Sequence, residues 1–140
     1  MRAKWIYPTV VGLACVICIA GCATGPKGPT DQELITGTMN EWRAGLLEKN
    51  VDKILAAYSE NYSDGEGRTK AQMREFIGGA ISQGYLDNAQ VDTTSTQIVI
   101  TGDQAVANPI TLSGPMGSIS LSLTFKKEGD KWLVVSASGA

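Results

Sequence analysis

The sequence predicts an α+β fold, with helices in the first half of a single domain and an antiparallel sheet in the second. Two patterns carry this expectation. Between Thr30 and Gly84, apolar residues recur at steps of three and four behind capping-box signals, which is helical spacing. From Gln90 onward the period changes to two, and short Gly-containing turns separate the apolar runs, as in a meander of strands. Helices followed by antiparallel strands make two layers, with the sheet wrapped over the helices.

Composition narrows the chemistry. At 140 residues there is room for one domain, and a charged fraction of 19% with 43% apolar residues is ordinary for a globular chain. The absence of histidine removes the commonest general base and the commonest metal ligand together. All three cysteines, Cys15, Cys18 and Cys22, precede the domain. Zinc sites and Ser-His or Cys-His catalysis are therefore excluded, no cofactor or metal is expected, and the domain must hold together without a disulfide. A net charge of −2 with no Lys/Arg cluster argues against nucleic acid as a partner.

The N-terminus reads as an export signal. Met1–Tyr7 carries Arg2 and Lys4 without an acid, and the stretch from Thr9 to Ala20 is apolar apart from the threonine. That run is short for a membrane-spanning helix, which needs about 20 residues. The segment Ile19-Ala20-Gly21-Cys22 resembles the lipobox of bacterial lipoproteins, in which the cysteine is diacylated and becomes the new N-terminus. The resemblance implies a signal peptide over 1–21, a palmitate-type anchor on Cys22 and a tether over 22–30, with the domain at 31–140. Cleavage before Cys22 would take the net charge from −2 to −4, because it removes two cations and no acid. Ala23-Thr24-Gly25-Pro26-Lys27-Gly28-Pro29 has the composition of a flexible linker. An ordinary signal cut after Ala23, or an uncleaved anchor, is the alternative, and it leaves the placement of Cys22 unexplained. Alanine rather than aspartate after the cysteine implies, by the same resemblance, the periplasmic side of the outer membrane where the organism has one.

Thr30 and Glu33 form a capping box, and Ile35, Met39, Trp42 and Leu46 follow at steps of four, three and four, so the first helix is expected over 31–49. Asn50 caps a short second helix, Val51 to Tyr58, with Ile54, Leu55 and Tyr58 inward. Ser63-Asp64-Gly65-Glu66-Gly67 is a loop or turn. Thr69 and Gln72 form a second capping box, and Met73, Phe76, Ile77, Ala80 and Ile81 are the expected buried face of a third helix ending near Gly84.

Four strands are expected over 91–101, 104–113, 118–125 and 132–138, joined at Gly102-Asp103, Gly114–Gly117 and Gly129-Asp130. In the third, Ile119, Leu121, Leu123 and Phe125 share one face, and Ser118, Ser120, Ser122 and Thr124 the other. The first four should be the most buried strand residues, and Leu121→Ala should cost about 2–5 kcal/mol. Pro109 cannot donate to a ladder, so its strand must bulge or leave an open edge there.

The order helix, short helix, loop, helix and four strands resembles the nuclear transport factor 2-like superfamily, which includes ketosteroid isomerase and SnoaL-type cyclases. Locally the likeness rests on Leu47–Leu55, Tyr58-Ser59-Glu60-Asn61-Tyr62, Lys70–Phe76 and Trp132-Leu133-Val134-Val135. It implies a cone: three N-terminal helices packed against a curved antiparallel sheet, enclosing a cavity. It further implies Trp42, Tyr58, Tyr62 and Asp64 as cavity-facing residues, with Asn108 as a further candidate. Trp42 and Tyr58 also suit a plain core, and Asp64 beside Gly65 also suits a plain turn. The family's catalytic carboxylates have no assignable counterpart on the inward strand positions, which are Ile, Leu and Phe. The expected function is a membrane-anchored envelope lipoprotein whose domain binds a small apolar ligand or a protein partner. The alternative is a small hydrolase or isomerase using Asp64 with Tyr58 or Tyr62. The serine-rich face suits either solvent or a homodimer through the sheet.

Overall fold

The computed structural model describes residues 27–139, so the segment 1–21, Cys22 and most of the 22–30 stretch lie outside the described residues. Helix α1 spans Asp31–Glu48 and opens on the capping box. The Thr30 hydroxyl accepts from the Glu33 amide, and the Glu33 carboxylate accepts from the Thr30 amide at 2.7 Å. Ile35, Met39, Trp42, Gly45 and Leu46 form its buried face. Lys49 leaves the helix in the left-handed region, and the Asn50 side chain accepts from the Lys53 amide to start α2, Val51–Ala56. Helix α3, Lys70–Ser82, opens on the Thr69–Gln72 capping box.

Five strands follow: β1 Gln90–Asp92, β2 Gln97–Thr101, β3 Gln104–Gly114, β4 Gly117–Glu128 and β5 Lys131–Gly139. All pair antiparallel, in the order β1-β3-β4-β5, with β2 also on β3. The stretch 91–101, expected as one strand, is therefore two. The cause lies opposite it. The β3–β4 register slips between Ala107 and Ile110, around Pro109, so a partner lying along β3 cannot stay continuous past that point. The break is filled by a tight turn in which the Asp92 carboxylate accepts from the Thr94 amide at 2.8 Å, while the Thr96 hydroxyl donates to the Pro109 carbonyl at 2.6 Å. A second irregularity lies between Thr124 and Phe125 on the β4–β5 ladder. Bulges add twist and bend, and the helices pack on the curved antiparallel sheet that results.

Helix α2 ends two residues before the expected Tyr58. The Val134 amide donates to the Ala57 carbonyl, and the Ser59 amide donates to the Val134 carbonyl, both at 2.8 Å. Sheet pairing along β5 wins over another helical turn and pulls Tyr58 into a short parallel bridge with Val134.

The core lies where α1 and α2 cover the sheet, with Trp132, Phe125, Leu123, Ile35 and Ile54 fully buried. Burial along β4 is uneven. Leu123 and Phe125 have no exposed surface, Leu121 is half-buried and Ile119 is 48% exposed. Ile119 and Leu121 thus depart from the expectation, because at the Gly117 end of β4 they border open space between sheet and helices instead of a packed core. Phe76, expected to be buried on α3, is 54% exposed.

Helices α1 and α2 meet at Gly45. A Cβ there would lie 2.7 Å from the Ile54 amide nitrogen and 2.9 Å from its Cγ1. Gly45→Ala gains about 1 kcal/mol of helix propensity but forces the pair apart, so a net loss of about 2 kcal/mol is expected in urea unfolding. Unchanged stability would mean that this contact does not bind the helices together.

Candidate binding cavity

Beyond the core, toward the Gly117 end of β4, the sheet and helices enclose a cavity of about 310 Å³. Trp42, Tyr58, Tyr62 and Asp64 all line it, each from a different local cause. Trp42 comes from the buried face of α1. Tyr58 is set by its bridge to Val134, and Tyr62 by a turn in which its amide donates to the Ser59 carbonyl at 3.1 Å. The two tyrosine rings touch, with centroids 4.7 Å apart and planes tilted by 59°. Ile119 and Leu121, displaced from the core, form part of the opposite wall.

Asp64 sits in the loop between Ser63 and Thr69, which an antiparallel bridge between those residues closes. Its carboxylate is turned into that loop. Oδ1 accepts from the amides of Glu66 and Arg68 at 3.0 and 2.8 Å, and Oδ2 accepts from Arg68 Nε at 2.6 Å. Arg68 also pairs with Glu66 at 3.0 Å, and its guanidinium lies 4.6 Å from the centre of the Phe76 ring. This stacking accounts for the exposed Phe76, which caps a cation at the cavity's edge.

Burial raises the Asp64 carboxyl, but the Arg68 guanidinium and the amides of Arg68 and Glu66 outweigh it, leaving the group below its ordinary value. Burial pushes the hydroxyls of Tyr58 and Tyr62 above the ordinary tyrosine value, with the Asp64 charge adding to the effect. The tyrosines stay neutral and the aspartate stays ionised.

No protein-family model matches the sequence, and no curated protein matches it. Solved structures do match in shape. Bd1075 of Bdellovibrio bacteriovorus superposes with a TM-score of 0.65 at 14% identity over 76% of this chain, which spans only 40% of Bd1075. An NTF2-like protein of unknown function from Shewanella baltica gives 0.63 at 17% identity, covering 81% of this chain and 98% of its own. The fold is NTF2-like. A candidate dehydratase of the NTF2-like family from Streptomyces avermitilis gives 0.64 at 12% identity, covering 78% of this chain and 94% of its own. At such identities the likeness shows the fold alone.

Within this NTF2-like fold, Asn108 does not reach the cavity. It lies on a shallow pit beside Pro109 with Ser120, Ser122 and Ser138. Ala105 and Ala107 on the same strand are buried, so period-two alternation turns Asn108 outward. Sequence reasoning missed Arg68 and Glu66, the other charged groups of the lining. The signal was present as Asp64-Gly65-Glu66-Gly67-Arg68, where two glycines let a loop fold an acid back onto a cation four residues on. Among the described residues, no cluster of His, Cys, Asp and Glu suits a metal. A groove of about 260 Å³ at the far end, between α1, α2 and the start of β5, is more open, and its Thr38 hydroxyl is already bonded to the Trp132 carbonyl.

Proposed function

We propose that the chain is a lipid-anchored envelope lipoprotein whose NTF2-like domain holds a small molecule in this cavity without transforming it. One observation carries the reading. The cavity is walled by aromatic and aliphatic side chains, and its buried carboxylate is occupied on both oxygens. A general base must have a lone pair free toward the substrate and a proton affinity near the working pH. Asp64 has three of its roughly four acceptor positions taken within its own loop, and Arg68 and two amides hold it ionised. Concave, largely apolar walls with a few polar groups suit retention of a small ligand.

The enzyme reading, a hydrolase or isomerase working through Asp64 and a tyrosine, would require the Asp64–Arg68 pair to open on substrate binding. A thermal-shift screen of metabolites against the purified protein, followed by mass spectrometry of each hit, separates the two. Binding with the hit recovered unchanged is the expected result. A hit converted to product by the wild type, and left unconverted by Asp64→Asn with the fold intact, would establish the enzyme instead.

A further inference from the structure

Resting on the binding function proposed above, we infer that the cavity selects uncharged molecules: an apolar body bearing a hydrogen-bond acceptor at its buried end, with carboxylates and phosphates disfavoured. Two observations carry this, one for the acceptor and one for the charge.

Trp42 and Tyr62 are 3% and 2% exposed, and both line the cavity. Yet the Trp42 indole nitrogen and the Tyr62 hydroxyl make no hydrogen bond of full geometry among the described residues, although the Tyr58 hydroxyl stands beside the first and the Ala137 backbone beside the second. A buried polar group left without a partner is costly, so such groups are normally satisfied by protein, water or ligand. An indole N–H can only donate, so whatever completes it must be an acceptor. The tyrosine hydroxyl, kept protonated by its surroundings, can donate as well. The rest of the wall is largely aliphatic, with Leu46, Ile54, Met73, Ile77 and Leu123 around the rings. Donors against an apolar wall fit a carbonyl or ether oxygen on a hydrocarbon body.

Charge decides the second half. Arg68 is the only cation lining the cavity among the described residues, and it is matched twice, by Asp64 and by Glu66. Its flat face is covered by Phe76. Two carboxylates against one guanidinium leave the lining net negative. An incoming anion would shed its hydration and meet a cation already paired, which is unfavourable without a new partner.

Three probes of one shape test this by calorimetry on the purified full chain: 2-ethylnaphthalene, methyl 2-naphthoate and the 2-naphthoate anion. In the wild type the ester should bind about tenfold tighter than the hydrocarbon, the yield of one buried hydrogen bond, and the anion should bind weakest. Trp42→Phe or Tyr62→Phe should reduce the ester-to-hydrocarbon preference toward unity. Asp64→Asn keeps an oxygen for the loop amides and releases Arg68, so it should raise anion affinity about tenfold. An anion that binds tightest to the wild type overturns the inference. So does an ester preference that survives both donor variants, which would mean that water already satisfies the two groups. If none of the three probes binds, the binding function itself fails and the inference falls with it.

Discussion

Replacing Phe125 with alanine is expected to cost about 3–5 kcal/mol, the usual range for emptying a fully buried aromatic site. Phe125 has no exposed surface, lies opposite Ala105 on β3 and Val134 on β5, and sits beside the irregularity where the sheet bends. A domain of this size is stable by roughly 5–15 kcal/mol, so the loss is a large share of the total. It should lower the thermal midpoint by about 15 °C. Ile119→Ala, on the same face of the same strand, should cost under about 1 kcal/mol, because Ile119 is 48% exposed at the cavity's edge. Calorimetric melting of both variants checks the pair. Equal losses would mean that the core extends to the Gly117 end of β4, and the cavity would then have no room.

Cys22→Ser is expected to abolish membrane attachment under the lipid-anchor proposal. Each buried methylene contributes about 0.8 kcal/mol, so two acyl chains make release negligible, and removing the acceptor thiol removes all of it. Labelled palmitate should enter the wild type and not the variant, and the variant should be recovered in the soluble fraction or remain unprocessed. A variant that is processed and sediments with membranes like the wild type would refute the lipobox reading of Ile19-Ala20-Gly21-Cys22.

The helices were legible because their signals are local. Both capping boxes form as the spacing requires, and Asn50 caps α2. Pro109 also announced its bulge, since a missing amide is a property of the residue itself. What the bulge did to its neighbour was not legible. Nothing within 91–101 says that the strand must break, because the cause sits on the strand across from it. Periodicity along β4 gave the correct face but not the depth, since alternation reports direction and not whether the space above it is packed. The charged side of the cavity was read in half for a related reason. Asp64 looked like either a turn residue or a cavity residue. It is both, and only the folded loop shows that Arg68 closes on it.

The start of α1 is pinned to the sheet at the β4–β5 hairpin, where Asp31 accepts from Lys127 Nζ at 2.8 Å and from Trp132 Nε1 at 2.9 Å. The cavity lies at the other end of the same strands, bounded by Ile119, Leu121 and Gly139. Glu128 lies nine residue steps along the strand from Ile119, a span of about 30 Å at the usual rise per residue. The chain therefore enters the domain at one pole, and the cavity lies at the other. Under the lipid-anchor proposal the opening would lie at the end of the domain away from the tether. Under the same proposal, a guest could reach the cavity without passing the point where the tether joins the domain.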